Sequence, residues 1–175
     1  RRLYWPRGKV LGGSSSINAM CYIRGASENY DEWEQLGAQG WNWNSVLPRF
    51  ISTENNARGA SEFHGASGPL PVSDNPDPNR LSRAFVEAGT QLQLPHNRDF
   101  NGAEQQGVGL YQTTTQNGRR ASAAAAFLRP VENRPNLTRI TGAMARRILF
   151  DGMRASGVEL QIGLGKETIA ASREV

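Results

Sequence analysis

Two adjacent glycines followed by three serines, Gly12-Gly13-Ser14-Ser15-Ser16, set the first constraint on this chain. Glycine lets the backbone adopt conformations closed to other residues and come close to a ligand. A helix starting just after such a turn would direct free N–H groups and the positive end of its dipole toward an anion. The mixed run Ile17-Asn18-Ala19-Met20-Cys21-Tyr22-Ile23 predicts a loop leading into a short helix of this kind. Serine hydroxyls would add donors for phosphate or ring oxygens. These are the makings of a cofactor loop, although a Gly/Ser string taken alone is most often only a turn.

Further along, the pattern mixes helical and extended periods. Tyr30, Trp33 and Leu36 recur at helical spacing between Ser27, an N-cap residue type, and Gly37, a helix stop. Gly40-Trp41-Asn42-Trp43-Asn44-Ser45 turns the chain into a second helix with Val46, Leu47, Phe50 and Ile51 on one face. Pro48 fits that helix only in its first turn, where its missing N–H would have no partner anyway. Residues 55–80 read as an irregular connection broken by a short edge strand at Gly68-Pro69-Leu70-Pro71-Val72. Leu81, Ala84, Phe85, Ala88 and Leu92 form the clearest helical stripe, which reads as core packing.

After Asp99-Phe100-Asn101-Gly102, the alternation from Gly107 to Gln116 predicts a strand that turns at Asn117-Gly118. Residues 122–128 are Ala-rich and helical. Strands are then expected at 137–140, 147–150, 158–160 and 168–170, with turns at Asp151-Gly152 and Ser156-Gly157, forming a small antiparallel set. Helices and strands mix without β-α-β alternation, so the chain reads as α+β.

Composition excludes several classes. The 175 residues suffice for one sizeable core or two small ones, and the 38% hydrophobic and 21% charged content is that of a globular protein rather than a disordered or fibrous one. No apolar run approaches the roughly 20 residues needed to span a bilayer. The net charge of +4 invites a nucleic-acid reading, but Arg1, Arg2, Arg7, Arg24, Arg119, Arg120, Arg146 and Arg147 are scattered among acidic residues, as solvated surface arginines would be. Cys21 is the single cysteine, which rules out an internal disulfide and favours a reducing compartment, with the cytoplasm the expected location. The start at Arg1-Arg2-Leu3-Tyr4-Trp5-Pro6 carries neither an initiator Met nor a signal peptide, and the stop at Val175 is abrupt, so a longer parent protein is expected.

The glycine-serine string belongs to a longer pattern, Gly8-Lys9-Val10-Leu11-Gly12-Gly13-Ser14-Ser15-Ser16-Ile17-Asn18, with Tyr22, Gly25 and Asp31 at fixed spacings. It resembles the first signature of glucose-methanol-choline (GMC) oxidoreductases. Further resemblances follow in the family's order: Asp31-Glu32-Trp33, Gly40-Trp41, His64-Gly65 with Gly68-Pro69-Leu70, Asp99-Phe100-Asn101-Gly102, Gly118-Arg119-Arg120-Ala121-Ser122 and Arg134-Pro135-Asn136-Leu137-Thr138. The likeness is strongest to the bacterial choline-dehydrogenase-like members.

This resemblance implies an internal piece of an FAD enzyme, with part of an α/β flavin-binding domain and a substrate-binding domain of antiparallel sheet and helices. The implied division is flavin-side residues 1–27, a substrate or cap segment 28–131, and a return to the flavin domain at 132–175. Val10, Ser14, Asn18, Ala19 and Cys21 match the family's flavin-contacting positions, and Ala145 matches a main-chain contact to the adenine end. At Asn18 an amide could both donate and accept, suiting a ring edge with adjacent carbonyl and N–H groups.

The dinucleotide fingerprint is expected before Arg1 and the catalytic His beyond Val175, so no catalytic residue is assigned within the chain and the rest of the polypeptide is needed for activity. His64 and His96 match neither catalytic position and read as structural or exposed. Ile17 occupies the position where some relatives carry a flavin-linked His, which implies noncovalent FAD. Asn136-Leu137-Thr138 is a lone glycosylation sequon without secretory context. The implied reaction is oxidation of a small alcohol to an aldehyde or ketone by hydride transfer to flavin, with Gly107–Gln116 forming part of the substrate wall. No metal and no nucleic-acid partner is expected. The competing readings are a flavin-dependent lyase or decarboxylase of the same family and a basic, non-enzymatic RNA-binding module.

Overall fold

The computed structural model describes residues 2–175. It divides into two compact units, the first ending at Glu132 and the second comprising Asn133–Val175. Helices and antiparallel strands are mixed, as the α+β reading expects. Among the described residues no helix is long and apolar enough to cross a membrane.

In the first unit, helices α1 (Ser27–Gln35) and α2 (Trp43–Thr53) meet through aromatic rings. Tyr30 is buried, with ring centroids 5.4 Å from Trp33, 5.5 Å from Trp43 and 5.8 Å from Phe50. The N-cap of α1 is Ala26 rather than Ser27, and its N–H is taken by Asn29 Oδ1 at 3.0 Å. The Asp-Glu-Trp motif has a local structural explanation at this joint. Asp31 accepts the Trp43 N–H at 2.9 Å, while Glu34 accepts from Gly40 N and from Asn42 Nδ2. Asn42 in turn caps α2 by accepting from Ser45 N at 2.9 Å. Pro48 is not in the first turn as expected. The helix begins at Trp43, so Pro48 lies in its interior and withholds the N–H that would reach the Asn44 carbonyl.

The segment expected to be irregular holds a second short strand. β1 (Glu54–Asn56) pairs in parallel with β2 (Leu70–Val72), with Asn56 opposite Val72. The return between them is tight: a Cβ on Gly65 would collide with the Ile51 carbonyl, and one on Gly68 with the Thr53 backbone. The His-Gly and Gly-Pro-Leu motifs are thereby explained as close backbone approaches.

Helix α3 (Arg80–Gln91) forms where its periodicity predicts, but the core-packing reading of its stripe is overturned. Leu81, Phe85 and Leu92 are 80%, 74% and 77% exposed, and the buried position is Gly89, packed on Val108. Periodicity reports that a helix has an apolar face, not what covers that face.

The expected strand from Gly107 to Gln116 is mostly a chain of single bridges. Val108 bridges His96, and Thr113 bridges both Cys21 and Ser73. Regular pairing is confined to β3 (Thr115–Gln116) and β4 (Arg119–Arg120), joined by Asn117 and Gly118 at φ 51° and 70°, as the Asn-Gly signal predicts. A short π-helical turn, Ala124–Leu128, follows.

The second unit is an antiparallel meander of β5 (Ala143–Asp151), β6 (Arg154–Ile162) and β7 (Gly165–Ala170). Two expectations fail here. Residues 137–140 are not a strand, since Leu137 N closes a turn on Arg134 O at 3.0 Å. Ser156-Gly157 is no turn but lies inside β6, where Gly157 pairs with both Leu149 and Ala170.

Candidate cofactor-facing loop

Gly12 and Gly13 adopt φ of 90° and 55°, and Gly13 N closes on Val10 O at 2.9 Å. The expected helix after them is only one 3-10 turn, Gly13–Ser16. Four residues carry little aligned dipole, so anion capture by a helix N-terminus does not apply here. What the turn does is sort its three serines. Ser15 Oγ donates to Gly12 O and accepts from Ala123 N at 2.8 Å, and Ser16 Oγ donates to Leu11 O at 2.9 Å. Both are spent on holding the loop. Ser14 Oγ accepts from Gly8 N at 3.2 Å and keeps its hydroxyl proton, which has no acceptor among the described residues.

Asn18 is held in a related way. Its Oδ1 accepts from Met20 N at 3.1 Å and from Arg120 Nη1 at 2.7 Å. A guanidinium and a backbone N–H can only donate, so the amide oxygen must face them. Asn18 therefore presents Nδ2 alone, with no acceptor for it among the described residues. This corrects the expectation that the amide both donates and accepts outward. Val10 is 59% exposed beside this surface, and Ala19 and Cys21 are also exposed. Two outward donors flanked by small apolar side chains suit the acceptor-bearing edge of a flat ring. No group of three or more His, Cys, Asp or Glu side chains that could hold a metal occurs among the described residues. A cavity of about 550 Å³ lined by Arg24, Trp43, Phe63 and Phe100 takes in none of the loop residues.

The structure brings Val10, Ser14, Asn18, Ala19 and Cys21 into one segment of the first unit. Ala145 belongs to the second unit, exposed on β5, an edge strand. The register shifts between Ala145 and Arg147, so a β-bulge interrupts the ladder beside it.

Sequence reasoning missed a buried polar hub in the first unit. Glu54 is completely buried. Its carboxylate accepts from Arg24 Nη2 at 2.7 Å and Asn56 Nδ2 at 2.9 Å, and lies 3.0 Å from His64 Nδ1. The other ring nitrogen of His64, Nε2, sits 2.9 Å from Asp99 Oδ2. Gln112 and Asn56 exchange two amide hydrogen bonds. Arg24 also donates to Phe63 O at 2.7 Å and lies 5.0 Å from the Phe50 ring centroid. Arg24 is thus a buried ion-pair partner, not the solvated surface arginine its scatter suggested. Only its Nε, among the described buried side-chain nitrogens and oxygens, lacks a partner.

The hub ties to the segment that follows the glycine-serine loop through Asn101, which accepts from Arg24 N at 2.7 Å and donates to Tyr22 O at 3.0 Å. Burial pushes the Tyr22 phenol above its ordinary pKa, opposed in part by Arg24. His64 has both ring nitrogens engaged, and His96 is exposed at its single bridge to Val108. The signal for the hub was present in the motifs His64-Gly65 and Asp99-Phe100-Asn101-Gly102, but periodicity cannot pair residues 35 positions apart.

The chain is similar to several known proteins. An alcohol dehydrogenase [acceptor] from Pseudomonas putida is 52% identical over 159 residues, covering 90% of this chain and 29% of that protein. An oxygen-dependent choline dehydrogenase from Sinorhizobium medicae is 47% identical over all 175 residues, or 32% of its own length. A solved FAD-dependent oxidoreductase from Chaetomium thermophilum superposes with a TM-score of 0.85 at 31% identity, covering 95% of this chain and 31% of the other. The chain therefore spans about a third of the length of these proteins. The GMC oxidoreductase family description matches residues 1–175 from end to end, across the glycine-serine loop, the buried hub and the meander alike, and the chain belongs to that family.

Proposed function

We propose that this chain forms the wall beside the flavin in an FAD-dependent enzyme that oxidises a small alcohol to an aldehyde or ketone. The observation that carries the reading is the pair of outward donors, Ser14 Oγ–H and Asn18 Nδ2–H, on a loop whose other polar groups are internally committed. The relatives named as alcohol and choline dehydrogenases support the substrate class. When bound, FAD supplies a hydride acceptor for the substrate carbon.

The chain's own residues bind and orient. Ser14 and Asn18 donate to the acceptor edge of the ring, Val10 and Ala19 exclude water from it, and Cys21 completes the lining. The Ala145 main chain meets the adenine end. On this reading residues 1–27 and 132–175 serve the flavin and residues 28–131 the substrate side. The base that removes the hydroxyl proton is supplied by sequence outside these residues. Ile17 has no nucleophile, so FAD is held noncovalently, and the single cysteine suits a reducing, cytoplasmic setting.

Acid denaturation of the full-length protein tests the reading. Intact FAD in the supernatant, together with alcohol-dependent dye reduction before denaturation, is the expected outcome. Flavin that remains with the precipitate would overturn the noncovalent attachment, and a colourless, inactive protein that FAD does not reconstitute would overturn the function.

A further inference from the structure

Arg120 lies just beyond the Asn117-Gly118 turn on β4, over 100 positions from the glycine-serine loop, yet it reaches both ends of the loop's last turn. Nη1 donates to Ser15 O at 3.1 Å and to Asn18 Oδ1 at 2.7 Å. Three residues further on, Ala123 N donates to Ser15 Oγ at 2.8 Å. The segment from Arg120 to Ala123 thus holds the loop by its polar atoms. A flipped Asn18 amide would set its NH2 against two obligate donors, the Arg120 guanidinium and the Met20 N–H.

We infer that Arg120 is a positioning residue: it locks the Asn18 amide with its oxygen inward, so that the loop accepts only a ligand edge bearing a hydrogen-bond acceptor. The inference rests on the reading that this loop faces the flavin. It assigns the donor role to Asn18 Nδ2 and excludes a ring N–H as its partner. It also gives the Gly118-Arg119-Arg120-Ala121-Ser122 motif a task that neither the fold nor the proposed activity had absorbed.

A double-mutant cycle on the full-length protein tests this, with FAD titrated into apoprotein, thermal unfolding followed in parallel, and the visible absorption of the bound flavin recorded. Asn18→Ala and Arg120→Met are each expected to weaken FAD binding about tenfold, roughly the worth of one hydrogen bond. The double variant should be weaker than either single one by no more than about twofold. Arg120→Lys keeps a charged donor and should recover FAD affinity to within about threefold of wild type, and its flavin spectrum should match.

Additive losses in the double variant would overturn the inference, because Arg120 would then act independently of Asn18. If Arg120→Met lowers only the unfolding temperature and leaves FAD affinity and spectrum unchanged while Asn18→Ala still weakens binding, Arg120 is a fold residue and the flavin reading survives. If Asn18→Ala leaves FAD affinity unchanged, the reading of the loop fails and the inference with it. Should Arg120→Met not fold, Arg120→Gln in the wild-type and Asn18→Ala backgrounds decides the same question: its amide can accept as well as donate and so releases the orientation of Asn18, and a spectral change seen only when Asn18 is present supports the lock, whereas no change, or a change in both backgrounds, overturns it.

Discussion

The buried hub around Glu54 and the exposed loop around Asn18 are built from the same kinds of polar side chain, and they use them in opposite ways. In the hub, Glu54 is surrounded by Arg24, Asn56 and His64, and nearly every polar atom has a partner. In the loop, Ser14 and Asn18 each spend their acceptor internally and leave a donor outward. On the proposed function, the difference separates structure from binding. A polar group sealed from water must be paired, since leaving it unpaired costs about 1–3 kcal/mol, and more when charged. A polar group meant for a ligand must keep one valence free, which it can do only where water or the ligand reaches it.

The contrast breaks most sharply at Glu54. Glu54→Ala leaves the buried Arg24 guanidinium without its counter-ion, and loss of one partner of a buried pair costs about 3–5 kcal/mol. Denaturant unfolding of the full-length protein should show a loss of that size or a failure to accumulate as soluble protein. A loss under about 1 kcal/mol would mean that the hub is not what holds these segments together.

At Asn18 the effect should fall on the ligand instead. Asn18→Leu keeps approximate volume and removes both amide functions, weakening FAD binding by about 1–3 kcal/mol while lowering fold stability by no more than about 1 kcal/mol. Flavin content per polypeptide and the unfolding midpoint, measured on the same preparation, give the two numbers. Their reversal would erase the distinction between hub and loop.

A smaller, pH-dependent effect should come from Tyr22, whose phenol burial raises above the ordinary value of about 10. Because the folded pKa is the higher one, Tyr22 does not disfavour folding below about pH 10, and stability is lost as pH rises from there through the folded pKa. Unfolding midpoints at pH 9 and pH 11 should therefore separate in wild type, and the separation should shrink in Tyr22→Phe. An equal separation in both would place the alkaline sensitivity elsewhere.

The smallest effect is expected outside both regions. Arg58 pairs with Asp74 at the surface and donates to Arg98 O at 2.7 Å, with both ion-pair side chains more than a third exposed. Exposed ion pairs are screened by solvent, so Asp74→Asn should shift stability by less than about 1 kcal/mol, and less still at high salt. A loss comparable to that of Glu54→Ala would show that burial is not the deciding variable.

Much of the local structure was readable from residue order. The Asn117-Gly118 hairpin, the span of α3, the meander and the turn-rich character of the glycine-serine string all depend on conformational preferences within a few residues. The failures share one cause. Pro48 was placed by its local penalty, yet α2, held at its start by Asp31 and Asn42, accommodates it. Ser156-Gly157 looked like a turn, and pairing on both sides made it the middle of a central strand. The short helix expected after Ser16 is replaced by a segment whose hydrogen bonds go to a stretch far away in sequence, with Tyr22 N on Gln112 O and Thr114 N on Met20 O.

By itself, the sequence determined the main helices, the meander, the family pattern and the chemical types available at the loop, because backbone propensities and side-chain inventory are local properties. Only the tertiary structure decided which valences those side chains still have to offer. Whether Asn18 donates or accepts depends on Arg120, whether Arg24 is solvated or buried depends on Glu54, and whether the α3 stripe is core depends on what lies against it. Each is settled by a partner far away in sequence. A hydrogen bond or a buried surface belongs to two groups at once, and the identity of one residue does not carry the position of the other.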